Sequence, residues 1–415
     1  MKQIHRKLSQ NILFSLKNNP VVFVNGPRQA GKSTLVKRLA QKDFVAEYIS
    51  FDSTTQRTAA VASPHSFLTF HKGQVILDEV QMVPELFRAL KEVVDDMRLK
   101  DKAHSNGRFL LTGSANIMAL PKLSDPLVGR MNVKTLYPFA VSEVIDSKGC
   151  FLERLFSNDF SAIKRMDISL LDAIRFSTFP EISGKEEPER NDWFDGYLTT
   201  ILQRDVRMLS ELEKISLLPN MLRILSSRAG SLMNDASIAR DVGLNAVTSK
   251  SYRSILQAMF LTLEIKPWYR NINKRLVKSP KGYLIDTLFL CHLLDWSLED
   301  MRERKPNLYG HVVENFVATE LIKLLSFSDI RAQLLHFRTS DDKEVDFILE
   351  RPDGTLAAIE IKASDTVTLS DFKGIKELQA LVPNDLVCGI VMYAGSRVVP
   401  FGENLFAVPF DALWE

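Results

Sequence analysis

The chain has 415 residues, 45% hydrophobic and 25% charged, which is the composition of an ordinary folded protein with material for two to four domains. Its 53 Lys and Arg stand against 51 Asp and Glu, and a net charge of +2 excludes the strong global field that by itself marks a nucleic-acid binder, so any basic surface must be local. Three scattered cysteines, Cys150, Cys291 and Cys388, give neither a zinc spacing nor an even disulfide framework, which fits a reducing, cytoplasmic setting.

At the N-terminus Lys2, Arg6 and Lys7 precede a polar, helix-like stretch, so no export signal is expected. From Val21 to about Phe139, short β-branched runs alternate with helical patterns: VVFV, KSTLVKRLA, EYISFD, QVILDE, ELFRALKEVVDDMR and RFLLTGSA. That rhythm predicts an α/β fold with a parallel sheet flanked by helices. Between Phe151 and about Met208 the pattern turns helical, and the polar stretch KEEPER places a boundary near Pro188. Consecutive helices are expected from about Asn191 to Lys266, followed by the basic stretch NKRLVKSPKGYLI with strand character around its Pro-Lys-Gly turn. After Pro306 come a helix HVVENFVATELIKLL, strands EVDFILE and LAAIEIKAS, a helix FKGIKELQALV and a strand LVCGIVMYA. The expected domains are therefore 1–188, 189–300 and 301–415. Apolar runs such as Tyr283 to Trp296 are too short to span a bilayer and are broken by Asp286, His292 and Asp295, so no membrane partner is expected.

The run Val21 to Val24 leads directly into Gly26-Pro27-Arg28-Gln29-Ala30-Gly31-Lys32-Ser33, followed by Thr34 and a helix. This strand, glycine loop and helix order is what a phosphate-binding loop requires. Gly26 and Gly31 let backbone amides curl round phosphate oxygens, and the helix start adds its positive end. Lys32 then reaches the β and γ phosphates of ATP, and Ser33 ligates Mg2+. The strand Val75 to Leu77 ends in Asp78 and Glu79, at the strand end where open parallel sheets bind ligands. Asp78 is assigned to the metal shell, with Ser33, and Glu79 to the attacking water as general base. A third strand ends in Thr112-Gly113-Ser114-Ala115-Asn116, and one of Thr112, Ser114 or Asn116 is expected to contact the γ phosphate or the water. Arg130 is either a solvated ion-pair partner or a group that stabilises transition-state charge, in its own subunit or in a neighbour of a homo-oligomer.

GPRQAGKST, VILDEVQ, FLLTGSAN and LVGR, in that order, resemble the AAA-type ATPases of bacteria and archaea that are fused to a conserved C-terminal region of unknown function. The resemblance continues through YLTTILQRDV, KSPKGYLIDT, GHVVENFVATEL, EVDFIL and IEIKAS and covers nearly the whole chain. It implies an AAA-type ATPase core, a winged-helix-like middle domain and a restriction-endonuclease-like α/β C-terminal domain.

Within Ser237 to Leu256, Ala239 and Gly243 have helix-turn-helix spacing, and the second helix is expected to present Thr248, Lys250 and Arg253. Lys274, Arg275, Lys278 and Lys281 would form a basic wing along DNA phosphates, or a solvated face of a protein-binding adaptor. On the last unit, Asp346 lies on one strand and Glu360 and Lys362 share a face of the next, with Glu314 on the preceding helix. This set resembles metal-dependent nucleases of the PD-(D/E)xK type, in which acidic residues hold Mg2+ and a lysine serves the water. A plain charged hairpin is the other reading. The combined expectation is an ATP- and Mg2+-dependent ATPase controlling a C-terminal region that engages nucleic acid. Its alternatives are a nuclease with a regulatory ATP site and a switch that binds ATP to hold a protein partner.

Overall fold

Five short strands build the N-terminal sheet: β1 (Val21–Asn25), β2 (Glu47–Ser50), β3 (Val75–Asp78), β4 (Phe109–Thr112) and β5 (Met131–Thr135). The computed structural model that shows them describes residues 4–101, 105–116, 129–161, 163, 168–206, 215–271 and 278–415. All pairings are parallel, in the order β2-β3-β4-β1-β5. β1, β3 and β4 are buried along their whole length, as near-continuous apolar runs must be when helices cover both faces of a sheet. The helix Leu86–Lys100 shows the matching pattern, burying Leu86, Phe87, Leu90, Val93 and Val94 on one stripe in the core cluster of the sheet. The expected parallel sheet is therefore present. β5 gave no apolar run because Met-Asn-Val-Lys-Thr is a half-buried edge strand, where polar residues are tolerated.

Compactness divides the described chain into two units: residues up to Pro138 together with Ser254–Leu261, and Phe139–Arg253 together with Thr262–Glu415. The second unit contains an eight-stranded mixed sheet of β6 (Thr262–Pro267), β7 (Lys281–Leu284), β8 (Gln333–Arg338), β9 (Glu344–Glu350), β10 (Leu356–Lys362), β11 (Leu386–Tyr393), β12 (Val399–Gly402) and β13 (Leu405–Pro409). Its order is β12-β13-β11-β10-β9-β8-β6-β7, so the antiparallel β6–β7 hairpin joins through a short parallel pairing with β8. β9 and β10 are antiparallel with Ile359 opposite Phe347, a register that brings Asp346 level with Glu360.

The 22-residue helix Pro306–Phe327 is buried along much of its length, including the charged pair Glu320 and Lys323. Lys323 Nζ donates to Glu320 at 2.9 Å, to the Ser177 hydroxyl at 2.6 Å and to the Phe139 carbonyl at 3.0 Å, while Glu320 also accepts the Val141 N–H at 3.0 Å. Every charge is met, as burial requires, and the helix that carries Glu314 is pinned. Among the described residues no helix is long and apolar enough to cross a membrane.

Candidate functional sites

The loop after β1 has the shape its sequence demands. Gly26 has φ +142, and a Cβ there would lie 2.1 Å from the Leu136 carbonyl oxygen, so only glycine lets the two backbones approach. Gln29 and Gly31 take φ of 62 and 92, and the helix Lys32–Lys42 begins at once. Left-handed residues before a helix start turn amide groups toward one concavity, the geometry that binds anions. Lys32 is buried, and its ammonium donates to the carbonyls of Gly26 at 3.0 Å and Pro27 at 2.8 Å. Within the same stretch Pro27 and Ala30 are buried, Arg28 is half-buried, and Gln29 and Thr34 are exposed.

Asp78 closes the other side. It accepts from Ser33 Oγ at 3.0 Å, from the Thr112 hydroxyl and from the Tyr48 hydroxyl. Burial first, then the hydrogen bond and charge of Asp78, hold the Tyr48 phenol well above its ordinary range. Glu79 sits at φ 60, outside the usual range for a side-chain-bearing residue, and its N–H donates to Thr112 Oγ1 at 3.2 Å. Burial raises the Glu79 carboxyl above its ordinary value, with the Lys32 charge opposing. Its carboxylate accepts from Gln81, whose amide also reaches Ser114 Oγ at 3.1 Å.

The three polar residues left open after β4 thus separate. Thr112 serves Asp78 and Glu79, Ser114 meets Gln81, and Asn116 donates its N–H to the Ala258 carbonyl at 2.7 Å. Arg130 is engaged with Asp95 at 2.6 Å. Tyr48 and Gln81 were missed as contributors: Tyr48 belongs to no motif, while Gln81 stood in VILDEVQ without an assigned role. Arg6 was also missed. Read only as terminal charge, it is buried and donates to the Ala30 carbonyl at 2.8 Å and the Tyr137 carbonyl at 2.6 Å, bracing the loop from behind. Arg6→Ala is expected to weaken nucleotide binding roughly tenfold, the worth of one charge-assisted hydrogen bond to the loop. Unchanged affinity in a nucleotide titration would show that the brace is dispensable.

In the second unit Glu314 and Asp346 gather round a residue assigned elsewhere, while Glu360, level with Asp346 on the next strand, pairs with Lys362. Lys281 Nζ lies 3.0 Å from Glu314, 3.1 Å from Asp346 and in contact with Glu344, and its side chain is 2% exposed. Lys362 pairs with Glu360 at 2.7 Å, and the second Glu360 oxygen is buried without a partner. Burial is the main cause that pushes Glu314 up to about 7 and Glu360 up to about 8. Among the described residues no group of three or more His, Cys, Asp or Glu side chains is arranged to hold a metal ion.

The reading of Lys281 as a phosphate contact on a basic wing is therefore corrected, because three carboxylates draw it inward. Arg253 is corrected likewise: it is buried and paired with Asp235 at 3.1 Å and Glu264 at 3.3 Å. The helices Asp235–Val242 and Ala246–Ala258 are present with Gly243 at φ 77 between them. Lys250 and Lys278 are exposed and Thr248 is partly so. Lys274 and Arg275 lie outside the described residues.

A parallel sheet of this order, with a glycine loop leaving β1 for a helix and an acidic pair ending β3, defines a P-loop NTPase of the AAA class. The chain belongs to the family of AAA-domain proteins that carry the C-terminal domain of unknown function DUF4143. Residues 18–145 match the AAA domain, 168–300 a domain of unknown function (DUF8612) and 309–413 DUF4143. Uncharacterized protein Rv2008c of Mycobacterium tuberculosis and uncharacterized protein Mb2031c of Mycobacterium bovis are each 30% identical over 403 residues, 96% of this chain and 82% of theirs. Among solved structures, the Walker-type ATPase PABY2304 of Pyrococcus abyssi aligns with 69% of this chain and 94% of its own, at 17% identity and a TM-score of 0.37.

Proposed function

We propose that the protein binds ATP with Mg2+ at Gly26–Ser33, hydrolyses it, and uses the nucleotide state to control a C-terminal region that engages nucleic acid. The observation that carries this is the 3.0 Å approach of Ser33 and Asp78 at the mouth of the loop, with Glu79 beside them. Two hard oxygen donors at that point suit Mg2+. The ion supplies charge neutralisation at the β and γ phosphates when bound. Backbone amides of the loop hold the phosphates, and Lys32 exchanges its two carbonyl partners for phosphate oxygens. Glu79, with its proton affinity raised by burial, takes a proton from the attacking water, while Gln81, held in turn by Ser114, fixes its carboxylate.

For Arg130 the proposed role is stabilisation of transition-state charge within an assembly of subunits, which requires release from Asp95. Arg130→Ala is expected to leave ATP binding intact and lower turnover; unchanged turnover would remove it from the site.

Nucleic-acid contact is supported by the exposed Lys250 and Lys278 and by a cleft of about 760 Å³ beside the β6–β7 hairpin, lined in part by Tyr269, Arg270, Lys278 and Arg338. Cations interleaved with an aromatic ring suit a nucleic-acid backbone and its bases. The divisions at 188 and 300 are part of the same proposal; the one at 300 is supported by a family match ending there and the next beginning at 309, while 188 falls inside the match over 168–300. ATP turnover of wild type and Lys32→Ala, with and without DNA, tests the whole. Turnover stimulated by DNA and abolished in Lys32→Ala is expected; turnover indifferent to DNA would sever the link between the two regions.

A further inference from the structure

The acidic cluster of the C-terminal sheet is built around a lysine. Lys281 starts β7, and its ammonium meets Glu314 from the helix Pro306–Phe327 and both Glu344 and Asp346 from β9. An ammonium has three N–H donors and no acceptor, so three carboxylates saturate it. The surrounding oxygens are held as well. Glu314 Oε1 accepts from the Tyr283 hydroxyl at 2.7 Å, and Asp346 Oδ2 accepts from the Ile361 N–H at 2.9 Å. Even the backbone is cut to fit: Gly230 has φ +77, and a Cβ there would stand 2.7 Å from Glu314 Oε2.

A hard divalent cation asks for these same surroundings, several carboxylate oxygens converging from different elements. Here the converging charge is already met, at hydrogen-bonding distance, by a side chain of the protein itself. We propose that the Lys281 ammonium stands in for a divalent cation among Glu314, Glu344 and Asp346, making the cluster a closed ion-pair centre that takes up no metal and cuts no phosphodiester. The neighbouring Glu360 and Lys362 form a second, hydrogen-bonded pair at 2.7 Å. Because Lys281 enters from the β6–β7 hairpin, the centre also fastens that hairpin to the long helix and to β9.

A Mn2+ titration of the full chain without nucleotide, read from the free-ion electron paramagnetic resonance signal, tests this. Wild type and Asp346→Asn are expected to take up the same amount of Mn2+. Lys281→Met is expected to take up one further ion per chain, lost again when Asp346→Asn is added. Wild-type uptake that disappears in Asp346→Asn would overturn the proposal, as would a folded Lys281→Met chain that gains no ion. Should Lys281→Met fail to fold, the comparison of wild type with Asp346→Asn decides alone. Mn2+-dependent DNA cleavage by wild type that is lost in Asp346→Asn would equally overturn it.

Discussion

Glu79→Gln is expected to bind ATP as tightly as wild type while turning it over roughly 10² to 10⁴ times more slowly, the range over which a positioned general base acts. The amide keeps the size and the hydrogen bond to Gln81 but cannot take a proton from water. Because burial raises the Glu79 carboxyl, the wild-type rate should also fall on the acid side at a higher pH than an ordinary carboxylate gives. Steady-state turnover and nucleotide titration of the two proteins check this. A variant that hydrolyses ATP at the wild-type rate would move the base elsewhere.

Lys281→Met is expected to destabilise the second unit by about 3 kcal/mol at neutral pH, because it strips the buried partner from three partly buried carboxylates. The loss should grow with pH. In the folded state Glu314 and Glu360 are raised to about 7 and about 8 from 4.5, so the native chain retains protons that the unfolded chain has released. Stability contributed this way is full below the unfolded value and is lost as pH rises through the folded ones. Lys281 opposes that loss in the wild type, and without it the ionised carboxylates repel one another unchecked. Urea unfolding at about pH 5.5 and about pH 8 should therefore show the smaller gap between variant and wild type at the lower pH. A gap that is equal at both would show that the carboxylates do not feel the lysine.

Much of the candidate site was legible because its parts are contiguous. Gly26 to Ser33 states a backbone shape directly, and Asp78 and Glu79 end an apolar run that can only be a buried strand. Tyr48 and Arg6 were not legible, since each reaches across space, to Asp78 and to the Ala30 carbonyl, while Gln81 lies two residues from Glu79 in a motif that gave it no role. The two corrected cations failed for a related reason. Ser249, Tyr252, Arg253 and Leu256 recur at helical spacing and are all buried, so Arg253 stands on the inward stripe and needs Asp235 and Glu264 there. Lys281 shares a short stretch with Lys274, Arg275 and Lys278, where local composition suggests one cationic surface; its partners lie 33 to 65 residues further on. Charge alone does not say which way a side chain faces. The number and place of buried partners do.

The most direct measurement is calorimetric titration of ATP into wild type and Lys32→Ala in the presence of Mg2+. One molecule of ATP bound per wild-type chain, with binding abolished or severely weakened in the variant, is the expected result. Absence of ATP binding by the folded wild-type chain, or binding that Lys32→Ala leaves unchanged, would contradict it.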